Sequence, residues 1–260
     1  MEIIILGSGP SYGIPTVRTG FGDCDPNNPK NTRSRSCLYM NDKGTSVLFD
    51  TPPELRMQLY KNKIDKIDAL IYTHMHADHT MGIDDARIFT FNDKNKHNVL
   101  SLPVYINEND KDEFCHRFGF YLKPMAYLEQ NKPVFDLHTI QAGHPFQIKN
   151  LSFQPIAQDH GDIQTLGFRV GQFAYTTDLK DFIDFNVEQL KGLKVWILGC
   201  VTTQKNNKHV YLGKALEWFE KVKPERMILT HLGSRMDYET IMAKLPKGVE
   251  LAYDGMRISF

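Results

Sequence analysis

Apolar positions along this chain fall in short blocks separated by polar and glycine- or proline-bearing stretches. "EIIIL" (2–6), "SVLFD" (46–50), "ALIYT" (69–73), "LSFQPI" (151–156), "QFAYTT" (172–177), "VWILGC" (195–200), "RMILT" (226–230) and "GVELAY" (248–253) are too short for helices. They are rich in Val, Ile, Leu, Phe and Tyr and read as strands, several of them buried on both faces. Three other stretches carry helical signals. "PPELRMQLYKNK" (52–63) opens with proline at a first turn. "LGKALEWFEKVK" (212–223) sets Leu212, Leu216 and Phe219 on one stripe and stops before Pro224. "DYETIMAKL" (237–245) opens on an aspartate suited to an N-cap. The early half reads as mainly strand, and helices become frequent later, each leading into another strand. The pattern predicts an α/β fold of two sheets packed face to face with helices outside, as a single domain over 1–260. Residues 92–99 ("NDKNKHNV") and 129–136 predict surface loops.

The ends of the predicted strands share a feature. "LFD" ends at Asp50, "IYT" delivers His74, "YTT" delivers Asp178 and "ILT" delivers His231. Strand ends that each present a polar, ligand-capable residue are how α/β enzymes assemble sites from distant parts of a chain.

The densest chemistry is "THMHADH" (73–79), with His74, His76, Asp78 and His79 at one bend. So many proton-accepting groups are costly to bury unless something pairs with them. A catalytic zinc takes about three protein ligands and keeps one position open, so this cluster exceeds what one metal needs. His160 in "QDHGD", Asp178 in "YTTDL" and His231 in "LTHLG" bring the set to five histidines and two aspartates. Two metals with three terminal ligands each and one bridging carboxylate need that same number.

Composition narrows the setting. The chain has 260 residues, 41% hydrophobic and 24% charged, enough for a substantial buried core. Lys plus Arg and Asp plus Glu both number 31, so no basic field argues for nucleic acid or anionic membrane. The basic run "KNTRSR" (30–35) reads by default as a solvated loop, with phosphate contact as the minority alternative; for Arg33 and Arg35 themselves, substrate-phosphate contact and salt-bridged loop positions stand equal. No stretch approaches the ~20 apolar residues of a membrane span, and the opening "MEIIILGSGP" is too short and acidic for a signal peptide. Cys24, Cys37, Cys115 and Cys200 show no CxxC spacing, which predicts free thiols in a reducing, cytoplasmic setting.

"THMHADHTMG", with His160, Asp178 and His231 in order behind it, resembles the HxHxDH motif and later ligands of the metallo-β-lactamase fold hydrolases. The resemblance spans nearly the whole chain and implies a four-layer αββα sandwich. It implies that His74, His76 and His160 hold one divalent metal, zinc or manganese, that Asp78, His79 and His231 hold another, and that Asp178 bridges them. "GSGPSYGIP" (7–15), "CDPNNPKNTRSRSC" (24–37), "LFDTPPELRMQL" (48–59), "GIDDAR" (82–87) and "KHVYLGKALEW" (208–218) further resemble the branch that includes the cyclic-phosphate phosphodiesterase of phosphonate breakdown. Members of that branch often carry a structural zinc on closely spaced cysteines and on a histidine three residues after the last catalytic one. Here the loop keeps only Cys24 before "DPNNP", and Ser234 stands where that histidine would be, so no structural zinc is expected.

Two cations about 3.5–4 Å apart can hold a hydroxide between them and polarise a phosphoryl oxygen. The expected activity is therefore hydrolysis of a small or cyclic phosphodiester, with Asp178 in the catalytic centre. The resemblance assigns His209, in "QKNNKHVYLG", as the acid that protonates the leaving group, a role its ordinary pKa near 6.5 would suit. Asp50 and Asp254 are expected to orient metal-bound histidines. For Ser8 and Ser11 a tight turn is preferred over phosphate contact. Thioester or other acyl hydrolysis on the same metals is the alternative. An RNA 3′-end nuclease fits less well, because no basic RNA-gripping arm is present. A homodimer is allowed. His97, His116, His138 and His144 have no supporting context.

Overall fold

The computed structural model describes residues 1–91, 101–125, 131–184 and 187–260. The loop expected at 92–99, with His97, lies outside these residues. One sheet runs in the order β15-β1-β2-β3-β4-β5-β6. Its strands are β1 (Glu2–Gly7), β2 (Cys37–Asp42), β3 (Thr45–Phe49), β4 (Ala69–Ile71), β5 (Leu102–Asn107), β6 (Phe135–Ile140) and β15 (Met256–Ser259). The other is ordered β11-β8-β9-β10-β12-β13-β14, with β7 (Phe146–Ile148) paired to β8. Its strands are β8 (Leu151–Asp159), β9 (Gln164–Val170), β10 (Phe173–Thr176), β11 (Asp181–Phe182), β12 (Val195–Gly199), β13 (Arg226–Thr230) and β14 (Val249–Leu251).

The unbroken apolar runs follow from burial on both faces. In β1, Ile3 and Ile5 face the other sheet, while Ile4 and Leu6 face a helical layer. The inter-sheet core centres on Phe49, whose ring meets Phe153, Phe168 and Tyr175 at centroid distances of 6.4, 5.6 and 5.4 Å. Each such buried ring contributes about 1.5–3 kcal/mol. Outside the first sheet, α1 (Leu55–Asn62) and α4 (Lys111–Phe118) bring Leu55, Leu59, Phe114 and Phe118 onto Leu48, Leu70 and Val104. Outside the second, α5 (Leu212–Val222) and α6 (Tyr238–Met242) cover Trp196, Leu198 and Leu229. The result is the expected four layers, helix–sheet–sheet–helix.

Several elements differ from expectation. The early half contains β2, β5 and α4 besides the predicted elements, and β6 begins at Phe135, inside the stretch read as a loop. The fully buried stripe of α5 is Ala215, Trp218 and Val222, with Leu212, Leu216 and Phe219 partly buried beside it. The sequence stripe was displaced because Trp218, the largest side chain on the helix, takes the innermost position against Trp196 and Phe182. The predicted helix stop holds: Lys223 adopts left-handed φ 53° just before Pro224.

Candidate metal centre

The strand-end residues converge because the strands that deliver them are parallel and in register. Phe49 of β3 pairs with Ile71 of β4, so Asp50 and the segment from Thr73 leave the first sheet side by side. Thr176 of β10 pairs with Leu198 of β12, and Gly199 with Thr230 of β13, so Asp178 and His231 leave the second sheet at the same edge. The backbone N–H of Leu166 donates to Thr73 O at 2.9 Å, tying the edges together. Asp50, Asp178 and His231 all adopt left-handed backbone, with φ of 64°, 51° and 57°. Three non-glycine residues in that sparsely populated region, all at one site, mark strain that the surrounding fold sustains.

The bend "THMHADH" divides its side chains by changing structure midway. His76 is the extended residue preceding α2 (Ala77–Thr80), which places Asp78 and His79 on the first helical turn. The turn is pinned by Thr51, whose N–H donates to His79 O at 2.7 Å and whose carbonyl accepts from Gly82 N at 2.8 Å. Only glycine fits at 82, since a Cβ there would lie 2.0 Å from Pro52 O. Arg117 of α4 adds bonds to Met75 O and, at 2.9 Å, to Thr80 Oγ1.

Two donor groups result, and their ligand atoms lie within 4.8 Å of one another in each. The first is His74, His76, His160 and Asp178; the second is Asp78, His79, Asp178 and His231. The seven residues singled out in the sequence are thus brought together in the expected division, with Asp178 common to both. His231 Nε2 approaches Asp178 Oδ1 at 2.9 Å and His79 Nε2 approaches Asp178 Oδ2 at 3.4 Å. Yet the Nε2 atoms of His74, His79 and His231 are buried without a hydrogen bond. Orphaned donors and acceptors are costly inside a protein, and here they aim at common points. That arrangement fits divalent metals.

The tautomers suit ligation. His79 Nδ1–H donates to Asp50 Oδ2 at 2.7 Å, leaving Nε2 facing the group. His74 Nδ1–H donates to Thr73 Oγ1 at 2.9 Å, which donates in turn to Asp50 Oδ2 at 2.9 Å. His160 Nδ1–H donates to Lys208 O at 3.0 Å. Supports of this kind fix ring orientation and raise ligand basicity. Electrostatics agree. Burial, then neighbouring His79, hold His74 well below its ordinary pKa, so its lone pair is free. Burial would lower His231 as well, but Asp178 beside it carries it up to about 9. Burial opposes ionisation of Asp178, yet His231 and His79 hold its carboxyl well below the usual range. The two aspartates of the second group therefore demand positive charge.

His209 sits over both groups, its ring 4.7 Å from that of His160 and stacked 5.4 Å from that of His231. Its loop is shaped by Asn206, whose Oδ1 accepts from the N–H groups of Lys208 (2.8 Å) and His209 (3.0 Å). Burial, then the neighbouring His231, push its pKa down to about 4. That corrects the value near 6.5 assumed from the residue type, because the loop half-buries the ring.

Other expectations change too. Asp254 orients no histidine: its carboxylate accepts from Ser8 and Ser34, from the backbone N–H and hydroxyl of each. It acts one step removed, since Ser8 O accepts from Leu232 N at 2.8 Å. Ser8 is fully buried in this turn, as preferred. Arg33 is neither a solvated loop residue nor a phosphate contact. It is 1% exposed, and its guanidinium donates to Lys30 O, Asn31 Oδ1, Leu232 O, Gly233 O and Met236 O. It thereby joins the early loop to the segment after His231, where Cys24 Sγ also meets Ser234 O at 3.5 Å. Arg35 pairs with Glu54 and reaches Ser11 O. The clamps Arg117, Asn206 and Thr73 were not foreseen; Thr73 alone had a signal, as a hydroxyl next to a ligand at a strand end.

This fold and this pair of donor groups define a hydrolase of the metallo-β-lactamase type, and the chain belongs to that superfamily: the family model described as a beta-lactamase superfamily domain matches residues 45–232. A crystal structure of a diphosphatase from the PhnP family is similar over 100% of this chain and 97% of its own, with 30% identity and a TM-score of 0.89. An octanoyltransferase of Porphyromonas gingivalis is 28% identical over 259 residues, 98% of this chain and 51% of that protein. A ribonuclease Z of Listeria monocytogenes is 24% identical over 177 residues, 65% of this chain and 49% of that protein. The chain thus spans about half the length of the curated relatives it matches. No helix among the described residues is long and apolar enough to cross a membrane.

Proposed function

We propose that the chain is a dinuclear metal-dependent phosphodiesterase acting on a small phosphodiester. The observation that carries the metal part is the pair of donor groups sharing Asp178. His74, His76 and His160 would hold one divalent ion, Asp78, His79 and His231 the other, with Asp178 between them. Zinc and manganese both suit these ligands. Such ions supply a water made nucleophilic near neutral pH and positive charge against the phosphoryl oxygens. The phosphoryl reading is supported by the likeness to the PhnP-family diphosphatase over nearly the full length of both chains.

The protein's own groups do the rest. Asp50, Thr73 and Lys208 O hold the ligand rings in one tautomer. His209, whose ring lies beside those of His160 and His231, would meet a phosphoryl or leaving-group oxygen. With its pKa low, it acts as a neutral N–H donor unless the negative charge of a bound phosphodiester lifts it into proton-donor range. The unpaired state of all four cysteines supports work in a reducing compartment.

Acyl hydrolysis draws support from the octanoyltransferase match, but this chain spans only 51% of that protein, so the activity named there has no fixed address within it. The test is a panel of cyclic phosphates, phosphodiesters and thioesters offered to the metal-loaded protein. Hydrolysis of phosphodiesters is expected; turnover confined to thioesters would replace this reading with the acyl one.

A further inference from the structure

His209 reaches the metal centre on a loop whose neck and tip are held differently. The neck is fixed. Val201 N donates to Val210 O at 3.1 Å, Leu212 N to Thr202 O at 2.9 Å, and Val210 N to Leu179 O, next to Asp178, at 2.9 Å. Val210 is fully buried and belongs to the same core as Leu179 and Leu232. Gly233 closes on the neck so tightly that a Cβ there would lie 2.5 Å from Val201 O.

The tip, from Thr203 to Lys208, is mostly exposed. From outside, Arg235 Nη1 donates to Gln204 Oε1 at 2.6 Å, and Lys208 Nζ approaches Asp162 Oδ2 at 3.3 Å, with Lys208 and Asp162 largely solvated. Exposed contacts of this kind contribute little. The tether from inside is of another kind. His160 Nδ1–H donates to Lys208 O at 3.0 Å, and His160 is only 5% exposed. The same ring turns Nε2 towards Asp178 Oδ2, 3.9 Å away, within the group that it forms with His74 and His76. Lys208 immediately precedes His209, and Asn206 Oδ1 accepts from the N–H of each. One turn therefore sets both the carbonyl that His160 grips and the ring of His209.

The two nitrogens of an imidazole act together. A ligand bond at Nε2 leaves Nδ1 as the nitrogen that carries hydrogen, and it fixes the plane of the ring. Without that bond the hydrogen is free to sit on Nε2. Nδ1 then turns a lone pair towards the Lys208 carbonyl oxygen, and two acceptors repel.

We propose that His160 couples its own metal to the His209 loop: occupancy of the His74, His76 and His160 group closes the tip and so places His209, with Asn206 as the positioning residue that links the two. The proposal rests on the metal reading of that group and adds a regulation to it. The His209 end of the site assembles when the ion that His160 ligates is in place. The second group lacks this lever, since His79 Nδ1 is committed to Asp50. Coupling between two sites is reciprocal, so a disturbed turn at Asn206 also weakens the ion on His160.

The test titrates zinc chloride into the stripped protein. Trypsin cleavage after Lys205 and Lys208, read by mass spectrometry, reports on the tip. Cleavage after exposed Lys43, in the turn between β2 and β3, reports on stability elsewhere. Saturating zinc should slow cleavage of the wild type at the tip by about 3- to 10-fold, the scale of one hydrogen bond, with a smaller change at Lys43. His76→Ala should lose this protection and Asp78→Ala, which damages the second group, should keep it. Ligand variants can fail to fold, so Asn206→Ala carries the test with every ligand intact. It should lose the protection and weaken, by a similar factor, the calorimetric zinc event that His76→Ala removes. Asn206→Asp, whose Oδ1 can accept the same two bonds, should restore both. Equal protection at Lys43 and the tip, tip protection that survives His76→Ala, protection lost on Asp78→Ala alone, or unchanged zinc binding in Asn206→Ala would overturn the coupling and leave the metal reading standing. A wild type that binds no zinc would remove the metal reading and the coupling with it.

Discussion

The two donor groups share Asp178 but are built differently. Asp78, His79 and His231 form a closed half: both histidines are buried, and two carboxylates, Asp78 and Asp178, serve it. His79 is anchored directly by Asp50, and His231 ends a strand whose following segment is locked by Arg33. His74, His76 and His160 form an open half: His76 is exposed, and the shared Asp178 is the single carboxylate. Burial with two negative charges favours tight, slowly exchanging cation binding, whereas exposure with one favours a more readily exchanged ion and access for water and substrate. The difference teaches that one bend of seven residues supplies both halves, because the backbone turns from extended to helical after His76.

The largest effect is expected where the halves meet. Asp178→Ala removes the carboxylate common to both groups, so on the proposed ligand set metal content should fall below one ion per chain and turnover by about a thousandfold or more, on every substrate. Elemental analysis beside the assay checks this; retention of both ions would show that the halves are independent. Next is His209, which spans the two. His209→Ala should keep the metals and slow substrates with poor leaving groups by about 10²–10⁴-fold, with much less loss for nitrophenolate, which needs no proton to depart. A loss that is flat across leaving groups of different pKa would leave His209 as a neutral hydrogen-bond donor, in line with its depressed pKa of about 4. Smaller still, Asp50→Asn should weaken the ion of the closed half by about 10- to 100-fold, the usual worth of a carboxylate behind a ligating histidine. Chelator competition reads this directly. Equal weakening of both ions would mean that the Thr73 link to His74 matters as much as the direct bond to His79.

The sequence revealed the ligands far better than it revealed what holds them. His74, His76, Asp78 and His79 were legible as a cluster, and Asp178 and His231 because apolar runs ended on them. Two packed sheets with helices outside followed from runs too apolar for one-sided strands, as β1 shows by burying alternate residues in different layers, and the four-layer order from the family resemblance. Arg33 lies outside that reading because three of its partners are backbone carbonyls some two hundred residues away, and a carbonyl has no residue type to signal it. Arg117 failed to register for the same reason, through Met75 O. β6 escapes the pattern because its short alternation, Phe135-Asp136-Leu137-His138, breaks at Thr139 and Ile140, which an edge strand with a partly exposed face tolerates. The His209 environment depended on a loop closing over it, which spacing alone does not encode.

The central claim is that two unequal half-sites share Asp178, and stepwise metal titration of the stripped protein tests it most directly. Zinc added to the wild type should bind in two separable events, one ion each. His231→Ala should abolish the tighter event, and His76→Ala the weaker. A single event with one ion per chain, or loss of the tighter event on His76→Ala, would contradict the account.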